Sequence, residues 1–164
     1  MKELQVPQFH KFDIARSQLV TATEIFFHQR NFSAVITLAG AASGILDELV
    51  RREGKESFID YACRLRREVA GATPPRKATL HHIEIRLGIS AHKHLSEKDS
   101  PTVKLDLEKQ AIQALLRALA DYMTLKGDQE DFVKTVLQWT WQNSDGKAIM
   151  ERYQAVPERQ RPKK

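Results

Sequence analysis

The chain has 164 residues, 41% of them hydrophobic and 29% charged, a length that suits one domain burying about two-thirds of its unfolded surface without a metal or disulfide staple. Its 26 basic and 21 acidic side chains leave +5, of which +3 lies in Glu151 to Lys164 and +2 in the preceding 150 residues; that near-neutral body argues against a histone-like or ribosomal-type protein. One cysteine, Cys63, excludes an intrachain disulfide framework and a cysteine-rich zinc module, and fits a reducing cytoplasm.

Met1 to Asp13 has no apolar h-region, so no secretory signal is read there. Helical spacing of apolar residues begins at Asp13, taken as the cap of a first helix that runs to about His28 with Ala15, Leu19, Ala22 and Phe26 on one stripe. Arg30-Asn31 is a break. The longest uncharged stretch, sixteen residues between Arg30 and Asp47, falls short of the ~20 mostly apolar residues of a membrane span and reads as a core helix. That second helix, Phe32 to Arg52, repeats Val35, Leu38, Ala42, Ile45 and Leu49 at the spacing of a packed seam. Its Ala39, Gly40, Ala41, Ser43 and Gly44 leave room for a second helix to approach closely. Two interior glycines, each costing ~1 kcal/mol against alanine, imply a packing reason.

A third helix, Lys55 to about Ala70, is expected to bury Phe58, Ala62, Leu65 and Val69, with Arg64, Arg66 and Arg67 near solvent. Gly71 to Pro75 is a break. From Lys77 to Leu95 two patterns compete. Ile83, Ile85, Leu87 and Ile89 alternate as in a strand, while Leu80, Ile83, Leu87 and Ala91 fit a helix. No other segment offers a partner strand for the backbone, so the segment is assigned as helix. Ser96 to Thr102 reads as a loop. A fifth helix, Leu105 to about Lys126, places Glu108, Ile112, Leu115, Leu119 and Tyr122 in register and stops at Gly127. A sixth, Gln129 to about Asn143, carries Phe132, Val136, Trp139 and Trp141; a short Lys147 to Tyr153 segment follows. The expected architecture is all-α, an up-and-down helical bundle of five to six helices, with one domain over residues 1–153 and a basic polar tail over 154–164.

Histidine is the unevenly distributed resource. His81, His82, His92 and His94 fall within fourteen residues of one another, beside Glu84, Arg86, Ser90 and Lys93. On one continuous helix His82, Arg86, Ser90 and Lys93 share a face, a basic, hydrogen-bonding surface suited to RNA phosphates; the competing reading is an ordinary solvated face. No His-x-x-x-His pair occurs, and neighbouring histidines diverge on a helix, so neither metal nor cofactor is expected. Cys63 has no histidine near it in sequence and reads as structural. No phosphate-binding glycine loop and no nucleophile elbow is present. Two further basic groups, Arg51-Arg52-Lys55 with Arg64-Arg66-Arg67, and the tail's Arg159, Arg161, Lys163 and Lys164, read as solubilising surface. Trp139 and Trp141 diverge by ~200° on a helix, placing one in the core and one at an interface.

The second helix, Ser33-Ala-Val-Ile-Thr-Leu-Ala-Gly-Ala-Ala42 with Ile45-Leu46, resembles bacterial proteins of the HEPN-like helical superfamily, as does His92-Lys-His94 followed by a loop and the helix ending in Ala120 to Gly127. The resemblance covers about Phe12 to Trp139. It implies a helical bundle, commonly dimeric, that is either a metal-independent ribonuclease of toxin or defence systems or an inactive binding module. The family's motif is an Arg and a His separated by four to six residues, with a polar residue after the Arg. Aligning Lys93-His94 on the family's Lys-His puts Ile89 in the Arg position, and the other pairing, Arg86 with His92, has Leu87 in the polar position. The expectation is therefore a cytoplasmic, homodimeric, non-catalytic or weakly catalytic module that binds RNA or a partner protein, with no membrane association. The alternative is a metal-independent endoribonuclease using Arg86 with His92 or His94. A basic tail of this kind is expected to be held by a contact, such as one from a second chain.

Overall fold

The computed structural model describes residues 6–163. Among these residues the chain forms helices and no strand: α1 (Lys11–Glu24) runs into a π-helical turn (Ile25–Gln29), then come α2 (Phe32–Arg52), α3 (Phe58–Ala70), α4 (Arg76–Arg86), α5 (Ile89–Lys93), α6 (Leu107–Lys126), α7 (Asp131–Gln142) and α8 (Gly146–Ala155), with a 3₁₀ turn at Glu158–Gln160. The all-α bundle is as the spacing predicts. The described residues contain eight α-helices where five to six were expected, because the Lys77–Leu95 segment is two helices and not one and the short segment from Gly146 is a further helix.

Local chemistry sets most of the boundaries. Asn31 Oδ1 accepts from the Ala34 amide at 3.2 Å, and Arg30, at φ 54°, absorbs the turn between the π-helical segment and α2. Asp106 and Asp145 cap α6 and α8 in the same way. Such caps satisfy amides that a helix start leaves unpaired. Two of the starts that differ from expectation have a clear local cause. His10, whose Nδ1 accepts from the Phe12 amide at 3.1 Å, caps α1, leaving Asp13 in the first turn where it favours the helix dipole. Ser57, bonded to the Asp60 amide, moves the start of α3 to Phe58 rather than Lys55.

Helix α2 is the centre of the bundle, packed between α1 and α6. Ala39 and Ala42 on α2 share the core with Ala111, Ala114 and Ala118 of α6, small side chains that permit close axial approach. Larger groups fill the two ends: Phe26, Phe27, Phe32 and Trp139 meet edge-on or tilted at one end, and at the other Phe12 stacks on Tyr122, which meets Phe132 edge-on. By length and composition α2 would pass as a membrane-crossing helix, the one such helix among the described residues, and half of its apolar window is buried inside the bundle.

The predicted stripes need two corrections. On α2 the buried set is Val35, Ile36, Ala39, Gly40, Ala42, Ser43, Leu46, Asp47 and Val50, one residue round from the expected seam, so Leu38 and Ile45 only flank the core. On α3 the buried residues are Ile59 and Cys63, not Phe58, Ala62, Leu65 and Val69; Val69 is 68% exposed. The helix is turned so that Asp60 can reach an arginine on α4. The close approach foreseen at the small residues of α2 is made within the chain: a Cβ at Gly40 would lie 2.7 Å from Ile89 Cγ2, whereas one at Gly44 would meet nothing within 4 Å.

Candidate nucleic-acid interface

The histidine-rich segment breaks at Gly88. Its φ of 72° lies in the left-handed region that costs an L side chain roughly 1 kcal/mol or more, and α4 ends there with the Gly88 amide bonded to the Ile85 carbonyl at 3.0 Å. Two groups fix the break. Gln110 on α6 donates from Nε2 to the Arg86 carbonyl at 3.0 Å, and His92 Nδ1 lies 2.7 Å from the Gly88 carbonyl. Since a carbonyl only accepts, that His92 nitrogen carries a proton, and in the neutral ring Nε2 is then the acceptor.

This geometry replaces the single helical face expected for His82, Arg86, Ser90 and Lys93. His82 and Arg86 lie on α4, while Ser90 and Lys93 lie on α5 beyond a left-handed turn, so the rotation per residue of one helix cannot be carried across. His81, His82, Arg86, Lys93 and His94 are all exposed, and Ser90 and His92 half-buried. Among the described residues neither His82, Arg86 nor His94 makes a side-chain hydrogen bond; Lys93 pairs with Glu84 at 3.4 Å, linking α5 back to α4. Arg86 and His92 are not hydrogen-bonded to each other. No group of three histidine, cysteine or carboxylate side chains among the described residues is placed to hold a metal ion.

Behind this surface lies a charged network that spacing along the sequence did not reveal. Arg76, the first residue of α4, donates to both oxygens of Asp47 at 2.6 and 2.7 Å and to Asp60 at 2.6 Å. Burial opposes the charge on Arg76, but its two carboxylates outweigh that and hold the guanidinium firmly protonated. Burial likewise opposes ionisation of Asp60, yet hydrogen bonding to Arg76 keeps its carboxyl below the usual range. Deeper still, Arg117 and Asp121 sit on the inner side of α6 at 3% and 1% exposure. Asp121 accepts from the Phe58 amide at 2.8 Å, pinning the start of α3, while its Oδ2 and Arg117 Nε and Nη1 have no hydrogen-bond partner among the described residues. Burial pushes the Asp121 carboxyl up to about 6 and pulls the Arg117 guanidinium down. The network spans α2, α3, α4 and α6 and sets where α4 presents its outer face.

Arg64 is the largest departure from the sequence reading. It is not a solvent-facing cation: its side chain is 16% exposed, gripping Glu56 with two bonds of 2.6 and 3.0 Å and donating to the carbonyls of Arg159 and Arg161 at 2.6 and 2.8 Å. Tyr61 donates to the Gln160 carbonyl and the Lys163 amide donates to Glu56, while Arg161 covers the Tyr153 ring at 4.9 Å. The tail is thus held by contacts with α3 and Glu56 of its own chain. This fold-back brings together two basic groups that lie about 95 residues apart in sequence. Beside them, under the loop between α3 and α4, is a cavity of about 270 Å³ lined by Asp60, Cys63, Arg64, Arg67, Thr73, Pro74 and Arg76. Cys63 is a free, buried thiol.

The two tryptophans separate as expected. Trp139 packs in the aromatic end of the core, and Trp141 is 53% exposed against the backbone of Gly146, where a Cβ would meet its ring at 2.6 Å. From Gly146 the exposed Ile149, Met150 and Tyr153 continue along one stripe of α8.

Comparison with protein-family models, curated proteins and solved structures finds no match to this chain. The geometry therefore defines an all-α helical bundle with an exposed basic junction, and functional assignment rests on that junction.

Proposed function

We propose that this protein is a HEPN-like, non-catalytic RNA-binding module that contacts the phosphate backbone through the α4–α5 junction. One observation carries the reading: the left-handed turn at Gly88 leaves His81, His82, Arg86, Lys93 and His94 exposed around a single fixed corner. Exposed basic side chains bind phosphates by releasing condensed counterions, an effect that is sequence-blind and weakened by salt; of these, Lys93 is paired with Glu84 at 3.4 Å. No aromatic side chain stands among them as a stacking platform, so affinity comes from charge and not from base readout. The module works in the cytoplasm as a homodimer, with the Trp141, Ile149, Met150 and Tyr153 stripe as its isologous contact. Fluorescence anisotropy with a labelled oligoribonucleotide tests the assignment, comparing the parent chain with Arg86→Ala and Lys93→Ala across a salt series.

The ribonuclease reading is favoured by one feature, the state of His92. With Nδ1 donating to the Gly88 carbonyl, Nε2 is free to accept a proton from a 2′-hydroxyl, as a general base must. Arg86, exposed and without an acidic partner among the described residues, would neutralise the phosphate, and His94 is the other candidate base. Single-turnover cleavage of labelled RNA in EDTA decides the matter: cutting abolished by His92→Ala or His94→Ala supports catalysis, and its absence supports the binding module.

A further inference from the structure

We propose that the cavity beneath the α3–α4 loop is an oxyanion site that takes a phosphate monoester. Four of its lining groups make the argument. Arg67, on the outward side of α3, donates from Nε to Thr73 Oγ1 at 2.8 Å, which aims its guanidinium along the loop and leaves both terminal nitrogens uncommitted among the described residues. Arg76 spends Nε and Nη2 on Asp60 and Asp47, so its Nη1 is also uncommitted. Thr73 adds a hydroxyl, and Arg64, fully engaged by Glu56 and the tail, adds charge without adding free donors.

The free donors fit an anion. Three guanidiniums line the cavity; Arg64 is compensated by Glu56 and Arg76 by Asp47 and Asp60, so Arg67 brings the charge that has no carboxylate partner among the described residues. A phosphate monoester carries roughly −1.5 to −2 at neutral pH and offers three acceptor oxygens. Arginine forks suit those oxygens better than point charges do. At about 270 Å³ the space lies just below the ~300–1,000 Å³ typical of small-molecule sites, enough for a phosphate and part of its sugar but not for a large cofactor. The folded-back tail places exposed Arg159 and Lys163 on the same side of the molecule, where a chain leaving the cavity would meet further positive charge. The monoester is either the 5′ end of an RNA or a free nucleotide; the site stands without the α4–α5 assignment, and only the first of these sources rests on it.

The test uses the full-length protein and four probes at low ionic strength: inorganic phosphate, a nucleoside 5′-monophosphate, and one hexaribonucleotide with either a 5′-phosphate or a 5′-hydroxyl. Calorimetry should show binding of inorganic phosphate and the monophosphate, with amide NMR shifts centred on Cys63, Arg67 and Thr73. Arg67→Ala, at an exposed position, should leave the melting temperature unchanged and weaken both by about tenfold or more, the expected loss of a charge-assisted hydrogen bond. Stronger binding of the 5′-phosphorylated hexamer, abolished by Arg67→Ala, supports an RNA end as the source. Tight monophosphate binding with equal affinity for both hexamers supports a free nucleotide. Arg86→Ala should lower affinity for both hexamers alike, so failure of the α4–α5 assignment is read separately. Absence of phosphate and monophosphate binding, or binding indifferent to Arg67→Ala, overturns the proposal.

Discussion

Replacing Gly40 with alanine adds one methyl group where α2 has no room for it. That Cβ would stand 2.7 Å from Ile89 Cγ2 and 3.3 Å from Cγ1, against a comfortable carbon–carbon separation of about 3.5–4.0 Å. Ile89 is fully buried at the start of α5, directly after the turn fixed by Gly88, so it can recede only by moving the short helix that carries Ser90, His92 and Lys93. Overpacking of this kind costs ~1–3 kcal/mol, partly offset by the ~1 kcal/mol that alanine gains over glycine in a helix. Gly44, four residues along the same helix and exposed with nothing within 4 Å of its Cβ, is the internal control. Gly44→Ala should stabilise the protein by ~0.5–1 kcal/mol. Gly40→Ala should cost up to ~2 kcal/mol once propensity is set against overlap. Ile89→Ala alone should cost ~2–5 kcal/mol, and combined with Gly40→Ala it should cost less than the sum, because the new methyl occupies part of the space vacated. Urea unfolding of the four proteins measures the coupling. Additivity to within ~0.5 kcal/mol, or equal effects of the two glycine substitutions, would refute the argument that Gly40 exists to seat Ile89.

Other outcomes follow from the charged interior and the tail. Asp121, raised from 3.8 to about 6 in the fold, binds its proton more tightly folded than unfolded. Its contribution to stability is therefore full below pH ~4 and lost between pH ~4 and ~6, at most about 3 kcal/mol. Asp121→Asn should remove that falling limb from a plot of unfolding free energy against pH; an unchanged slope contradicts the burial argument. Asp60 and Glu56 act in the opposite sense, each held below its ordinary value, so their stabilisation is present above the unfolded carboxylate range and disappears as pH falls through the folded value. Arg64→Ala should free the tail, giving faster tryptic cleavage after Arg159 with the bundle intact, and Arg64→Lys should fail to restore protection because one ammonium cannot replace the two-pronged grip on Glu56. Trp141→Ser should convert a dimer into a monomer in light scattering at micromolar protein, and a parent chain already at one chain's mass contradicts the dimer.

Much of the bundle is readable from the spacing of apolar residues, because each helix buries one face and the period of that face is fixed by geometry. The mixed signal over residues 83–89 has a physical origin. Ile83 lies half-buried on α4, Ile85 stands exposed on the same helix, Leu87 caps its end, and Ile89 opens α5 beyond the left-handed turn at Gly88, so an exposed isoleucine on one helix and the first residue of the next together mimic strand alternation. What spacing could not show is which distant residues meet. Arg64 reads as surface because nothing in α3 announces that Arg159 and Arg161 return to cover it. The charged network left a faint mark: Asp47 falls in register with Ser43, Leu46 and Val50, and Arg117 and Asp121 with Ala114 and Ala118. Polar residues inside an apolar stripe are the sign of a buried ion pair or a site. The histidine cluster was legible as composition, and its division by Gly88 was legible as a glycine, but the surface it forms required the turn.

RNA binding as a function of salt tests the central assignment most directly. With a labelled single-stranded oligoribonucleotide, the account predicts that log K falls linearly with log salt, and that Arg86→Ala and Lys93→Ala each reduce the slope by about 0.7 without changing the melting temperature. The RNA should remain uncut throughout in EDTA. Binding that is absent at low salt, or whose slope is unaffected by both substitutions, would contradict the claim that the α4–α5 junction is the nucleic-acid surface.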